Sequence, residues 1–231
     1  MPPQLFGIEH ILYIVITTLL ASVGLIFAKK YAKTEKVQAI VLKGIAVGLF
    51  VSIMANRLSQ VFRYSEVRWY CIIPDSFCGL TSLLLSLVVL FGKKNNNALH
   101  FLWALGLFGG VSTVIYATFL DQDISFFYIP TISGLLHHSF SALLVVALLM
   151  FKQIDITYKK WYCTFFGFTS YLTLGAFLMH TFDMSDAFHI AEPLLPGTPL
   201  TAWVMAPMYA VVYGLILLIV EIVKRKHKSK N

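Results

Sequence analysis

Apolar residues run along this chain in seven long, nearly uninterrupted stretches, separated by short polar segments. They cover Ile8 to Ala28, Ala39 to Phe62, Ile73 to Phe91, Leu99 to Phe119, Ile129 to Phe151, Trp161 to Met179 and Ala202 to Val223. A hydrocarbon core about 30 Å thick is crossed by a helix of roughly 20 apolar residues, so each run is read as a membrane span. The predicted fold is all-α: a polytopic membrane protein with seven transmembrane helices, residues 1–223 forming one domain and residues 224–231 a basic tail.

Polar positions inside the spans recur at helical spacing. Gly44, Gly48, Ser52, Asn56 and Gln60 follow every fourth residue in the second span, a stripe that lets a neighbouring helix approach and ends in two amides. The fifth span carries Ser133, His137 and Ser141 on one face with His138 beside them; the third carries Cys78, Ser82 and Ser86; the fourth carries "GGVST". Helix packing accounts for the glycines and most serines. The connection from His180 to Trp203 contains Pro193, Pro196, Pro199 and Gly197, so it is not one helix, and with Phe188, Leu194 and Leu195 it is expected to lie at the interface as a lid.

Composition agrees with this picture: 58% of the 231 residues are hydrophobic and 13% charged, too apolar for a soluble domain. The net charge of +7 is placed for a membrane and not for nucleic acid. Lys29, Lys30, Lys33 and Lys36 follow the first span, Lys93 and Lys94 the third, Lys152, Lys159 and Lys160 the fifth, and Lys224, Arg225, Lys226, Lys228 and Lys230 the seventh. The opposite ends carry Glu9, Glu66, Asp75, Asp121, Asp123, Asp183, Asp186 and Glu192 against Arg63 and Arg68. The positive-inside bias then predicts an outward N-terminus and a cytoplasmic C-terminus. "MPPQLFGIEH" has no basic n-region, so the first span is expected to be retained.

Candidate chemistry comes from depth. Cys78 lies about 22 Å above the lysines closing the third span and His138 about 21 Å above those closing the fifth, at 1.5 Å per residue. A thiol and an imidazole at one level form the elementary unit of acyl transfer, in which histidine takes the thiol proton and the thiolate attacks an ester. Ionisable groups within a span are costly, which makes His137 and His138 functional candidates. Adjacent side chains leave a helix about 100° apart, so one of the two is expected to face the thiol. The competing reading is a cysteine acting as a small hydrophobe and a histidine bridging helices; a Cys71–Cys78 disulfide would exclude the reactive thiol altogether.

Arg57 with Asn56 and Gln60 has the makings of a phosphate clamp, or Arg57 pairs with Asp75 or Glu66. His10 and His180 fall near the outer boundary and are taken with these as substrate-binding candidates, while Ser82, Ser133 and Ser141 are candidate oxyanion donors. No pair of histidines has metal-ligand spacing, so no metal is expected, and no cofactor.

The order of "FGIEHILYI", "NRLSQVFRY", "IIPDSFCGLT", "LLHHSF" and "TAWVMAPMY" resembles the YwaF-like integral-membrane proteins of bacteria, over nearly the whole chain. That family is similar to eukaryotic transmembrane acyltransferases that remodel phospholipids with a cysteine and a histidine. The resemblance implies a nucleophile at Cys78, a base at His137 or His138, His10 and Gln60 as pocket residues, and, in a bacterium, the cell membrane as location. Its implied partner is a phospholipid or lysophospholipid. One departure stands out: the family's Leu-Pro-Leu-His-Leu-Cys is "IPDSFC" here, keeping Pro74 and Cys78 but replacing the histidine by Ser76. The alternative function is a non-enzymatic membrane binding protein or transporter for a lipid-like or anionic solute, although mid-span Gly and Pro breaks are few.

Overall fold

A computed structural model describes residues 3–63, 66–120, 124–195 and 197–228. Among them seven α-helices follow one another: α1 (Ile8–Tyr31), α2 (Glu35–Val61), α3 (Phe77–Phe91), α4 (Asn97–Ile115), α5 (Ile129–Met150), α6 (Tyr162–Phe182) and α7 (Ala202–Lys228). Six have the length and apolarity to cross a membrane, and α3 is a shorter apolar helix. The chain is therefore a multi-pass, all-helical membrane protein. Asp121, Asp123, Pro196 and Lys230, which entered the charge and loop arguments, lie outside the described residues.

The third helix departs from expectation at its start. Pro74 does not open it: Trp69–Ile72 form a short 3-10 turn and α3 begins at Phe77. The backbone at Asp75 is committed elsewhere, because its carbonyl accepts a 2.7 Å hydrogen bond from the amide of Phe188. A carbonyl held by another loop leaves less reason to extend the helix backwards.

The chain divides into two compact units. The first comprises residues 1–74, 78–94 and 102–153. In it the stripe of α2 from Gly48 to Asn56 lies against α5, while Gly44 stays exposed. A methyl group on Gly48 would meet the ring of Phe140 at 2.9 Å, Ser52 returns its hydroxyl to the Gly48 carbonyl at 2.7 Å, and Asn56 reaches the Pro130 carbonyl at 3.1 Å. Glycines also draw α4 close: a Cβ on Gly106 would sit 3.0 Å from Ser141 Oγ, and one on Gly110 would sit 2.7 Å from the carbonyl oxygen of His138. Helix α1 is tied in by Tyr13, whose hydroxyl is 2.8 Å from Ser139 Oγ, while Leu12, Ile16, Leu19, Leu20, Val23 and Ile26 stay exposed. Exposed apolar side chains suit a helix solvated by lipid.

The second unit comprises residues 75–77, 95–101 and 154–231. Phe77, Phe101, Phe168, Tyr171 and Phe188 form an aromatic cluster with ring centroids 5.1–5.9 Å apart. Phe188 is 1% exposed, so this residue is core and not part of an interfacial lid, whereas Leu194 and Leu195 are exposed. The helix–loop contact at Phe188 needs Gly175, where a Cβ would lie 2.8 Å from its ring. A polar seam runs through the same unit: Asn95 accepts from the Asp155 amide at 3.0 Å and pairs with His100 Nε2 at 2.7 Å, Lys160 meets Asn97 at 2.6 Å, and Lys224 meets Asp155 at 2.6 Å. Tyr213 donates to the His100 carbonyl at 2.7 Å. Tyr213→Phe is expected to lower stability by about 0.6 kcal/mol, and by no more than ~1.7, as for other hydrogen bonds between membrane helices. A steric-trap or detergent-unfolding titration measures it; an unchanged midpoint would show that the bond is not used.

Candidate functional site

A polar cavity of about 190 Å³ lies in the first unit between the C-terminal end of α2 and the N-terminal half of α5. Asn56, Arg57 and Gln60 line it from α2 and Arg63 from just past its end, Pro130, Gly134, His137 and His138 from α5, and Phe119 from the segment after α4. It brings together five of the residues singled out from the sequence. Arg63 stands seven residues after Asn56 and just past the end of α2, so carrying the helical period one step further would have added it to the clamp, whereas the charge count had absorbed it.

The α2 wall is built around Asn56, which is 8% exposed. Its amide nitrogen donates to the Pro130 carbonyl at 3.1 Å and toward Ser133 Oγ at 3.4 Å, while its oxygen accepts from Arg57 Nε at 3.4 Å and Nη2 at 3.2 Å. Asn56 thereby couples the two helices and turns the guanidinium. Arg63 donates toward Gln60 Oε1 at 3.5 Å. Each guanidinium thus meets a neutral amide side chain of α2, and both residues line the cavity. On the α5 wall a Cβ at Gly134 would lie 3.3 Å from Phe119, so glycine keeps that side open.

His137 and His138 stack, with ring centroids 4.1 Å apart and planes tilted by 34°. Their Cα–Cβ bonds diverge, but the side-chain torsions swing the rings together, and both line the cavity. His137 Nδ1 is 3.1 Å from Ser82 Oγ of α3.

Cys78 lies one turn before Ser82 on α3. Its sulfur would be 3.0 Å from a Cβ on Gly109, and Thr113 lies beside it, both on α4. Gly109 and Gly110 are consecutive, and the latter touches the His138 carbonyl, so the thiol and the His138 backbone pack on adjacent faces of α4. None of Cys71, Cys78 and Cys163 is in a disulfide.

The remaining candidates fall elsewhere. His10 is fully buried, with Nε2 2.9 Å from the Val114 carbonyl and Nδ1 accepting from the Phe6 amide at 3.1 Å. Nε2 thus joins α1 to α4 while Nδ1 holds the turn before α1, and His10 does not line the cavity. Ser133 donates to the carbonyls of Ile129 and Pro130, and Ser141 to the Gly106 carbonyl at 3.1 Å; neither lines the cavity. Asp75 is half-buried in the second unit, and His180 is exposed on the last turn of α6.

No curated protein and no solved structure matches this chain. The profile of the TMEM164 family matches residues 5–223, from before α1 to near the end of α7, and so takes in every wall of the cavity. The chain belongs to the TMEM164 family, a family of membrane proteins.

Proposed function

We propose that the protein is a membrane-embedded acyltransferase or lipid acyl hydrolase acting on glycerophospholipid or lysophospholipid through a cysteine–histidine pair. The observation that carries this reading is the cavity itself: two guanidinium groups and two amides at one end, two stacked imidazoles deeper along α5. Guanidinium and amide groups suit a phosphate, and imidazoles suit proton transfer at an ester a few ångströms further in. On the positive-inside bias the cavity opens toward the outer leaflet, where acyl esters lie below the headgroups. The resemblance to YwaF-like proteins supports Cys78 as nucleophile.

Catalysis through Cys78 requires the thiol to turn from Thr113 and its proton to reach an imidazole. The thiolate then attacks the ester carbonyl, the thioester forms as the lysolipid alcohol leaves, and a second lysolipid or water takes the acyl group. The second reading, a binding protein or transporter without chemistry, is favoured by one observation: the thiol packs against α4 at Gly109, and the described hydrogen bond of His137 goes to Ser82 and not to the thiol.

Reconstituted protein given a phospholipid with a labelled acyl chain and an unlabelled lysophospholipid separates the two. Exchange is expected in the wild type and should fall at least ~10²-fold in Cys78→Ala, the scale of loss when a nucleophile–base unit is broken, with lysolipid binding retained. Equal turnover in Cys78→Ala would remove the covalent mechanism; binding without any wild-type exchange would favour the second reading.

A further inference from the structure

His137 and His138 are neighbours in sequence and in the cavity, but their hydrogen bonding differs. Buried helical hydroxyls elsewhere in this unit donate to backbone carbonyls: Ser52 to Gly48 at 2.7 Å, Ser86 to Leu83 at 2.7 Å and Ser141 to Gly106 at 3.1 Å. Ser82 is 1% exposed and makes no such bond to the Cys78 carbonyl one turn back. Its partner is Nδ1 of His137 at 3.1 Å.

A hydroxyl buried in an apolar surrounding directs its proton to the acceptor it has, because leaving that proton unbonded costs the full desolvation of the group. The Ser82 O–H therefore points at Nδ1. An Nδ1 that accepts belongs to a neutral ring carrying its proton on Nε2. Ser82 does not line the cavity while His137 does, so the Nδ1 edge faces α3 and the Nε2–H edge faces the cavity. His138 is 7% exposed, lines the same cavity, and has no hydrogen-bond partner among the described residues. Its nitrogens are open to whatever enters.

We propose that the two histidines divide the work of acyl transfer: His137, positioned by Ser82, is a neutral N–H donor to the oxyanion, and His138 is the general base. The assignment rests on the acyl-transfer reading above. His138 takes the thiol proton of Cys78, and the sulfur electron pair forms the bond to the ester carbonyl carbon. The carbonyl π pair moves to oxygen, where the Nε2–H of His137 holds it. Collapse restores the carbonyl and breaks the ester C–O bond, and the leaving lysolipid oxygen takes the proton back from His138. The second half runs in reverse: His138 takes the proton of an acceptor hydroxyl, that oxygen attacks the thioester, and Cys78 leaves as a thiolate that recovers the proton. Hydrogen bonds aimed at a developing charge in a closed site act most strongly there.

The test uses the full chain in phosphatidylcholine bilayers with ¹⁵N-labelled histidine, together with the exchange assay. The ring ¹⁵N shifts of His137 should report Nε2–H in the wild type and in Ser82→Thr, and a mixed tautomer in Ser82→Ala. Exchange should fall about tenfold in Ser82→Ala and recover in Ser82→Thr, the size expected for losing one positioning hydrogen bond. His137→Gln keeps an N–H near the Nε2 position and should stay within about tenfold of wild type, whereas His137→Ala should lose roughly 10²–10³-fold, as on removal of an oxyanion donor. His138→Gln lacks a base and should lose roughly 10²–10⁴-fold. An Nδ1–H tautomer in the wild type overturns the proposal, as does an active His138→Gln beside an inactive His137→Gln. In both cases wild-type exchange would leave acyl transfer standing; a wild type with no exchange would overturn both.

Discussion

Gly110→Ala is expected to destabilise the protein by about 1–3 kcal/mol, the range for forcing an extra carbon into a packed interior. The added Cβ would lie 2.7 Å from the carbonyl oxygen of His138, 3.1 Å from the amide nitrogen of Ala142 and 3.2 Å from its Cβ. Two of these are backbone atoms of α5, which cannot rotate away, so α4 and α5 must separate. Separation pulls on the Ser141 bond to the Gly106 carbonyl, 3.1 Å long, and shifts the His138 turn that forms the cavity floor. The contrast is with Gly24→Ala and Gly44→Ala, where nothing lies within 4 Å of the new atom. There the smaller backbone entropy loss of alanine should stabilise the helix by roughly 0.5–1 kcal/mol. Thermal unfolding of the three variants in one detergent decides: equal midpoints for Gly110→Ala and Gly44→Ala would mean that α4 and α5 are not in contact there.

Asn56→Leu is the second large effect, and it joins stability to binding. Leucine matches the volume but offers nothing to the Pro130 carbonyl or to Arg57, both of which Asn56 bonds at 3.1–3.4 Å. The Pro130 carbonyl is then left with only the 3.3 Å contact from Ser133, whose hydroxyl lies closer to the Ile129 carbonyl, and the lost hydrogen bond costs about 0.5–1.5 kcal/mol. The same change frees the guanidinium from the orientation that aims it at the cavity, so lysophospholipid binding should weaken about tenfold or more, in proportion to the lost charge-assisted geometry. Arg57→Leu should weaken binding similarly. Because the two residues share a contact, the double variant should bind scarcely worse than either single one. Fully additive losses in a binding titration would show that Asn56 does not act through Arg57.

These expectations depend on contacts that the sequence does not reveal, although the helices themselves were readable from it. A span satisfies its backbone hydrogen bonds internally, so apolar length is enough to identify it, and six helices long enough to cross a membrane formed over the predicted runs. The exception is informative. The apolar run puts the start of the third span at Ile73, whereas α3 begins at Phe77, because the Asp75 carbonyl is held by Phe188 more than 110 residues later in the chain. Phe188 itself read as a membrane-facing loop residue. Its burial follows from the space left by Gly175 and the rings of Phe77 and Tyr171, all supplied from other segments.

The site divides in the same way. Periodicity along α2 placed Asn56 and Gln60 on one face, and depth counting drew attention to Cys78, His137 and His138, since rise per residue is a local property of any helix. Rotation of one helix about its axis relative to the next is not local. It is fixed by where glycines admit a neighbour and where buried polar groups find partners, and it took His10 to the Val114 carbonyl, Cys78 to Gly109 and Thr113, and Ser82 to His137. Apolar run lengths and charge placement were therefore sufficient for a membrane-spanning helical chain with polar groups at a given depth. Only packing between helices decided which of those groups meet, because the desolvation cost of a buried polar atom is relieved by a partner whose position along the chain no local pattern specifies.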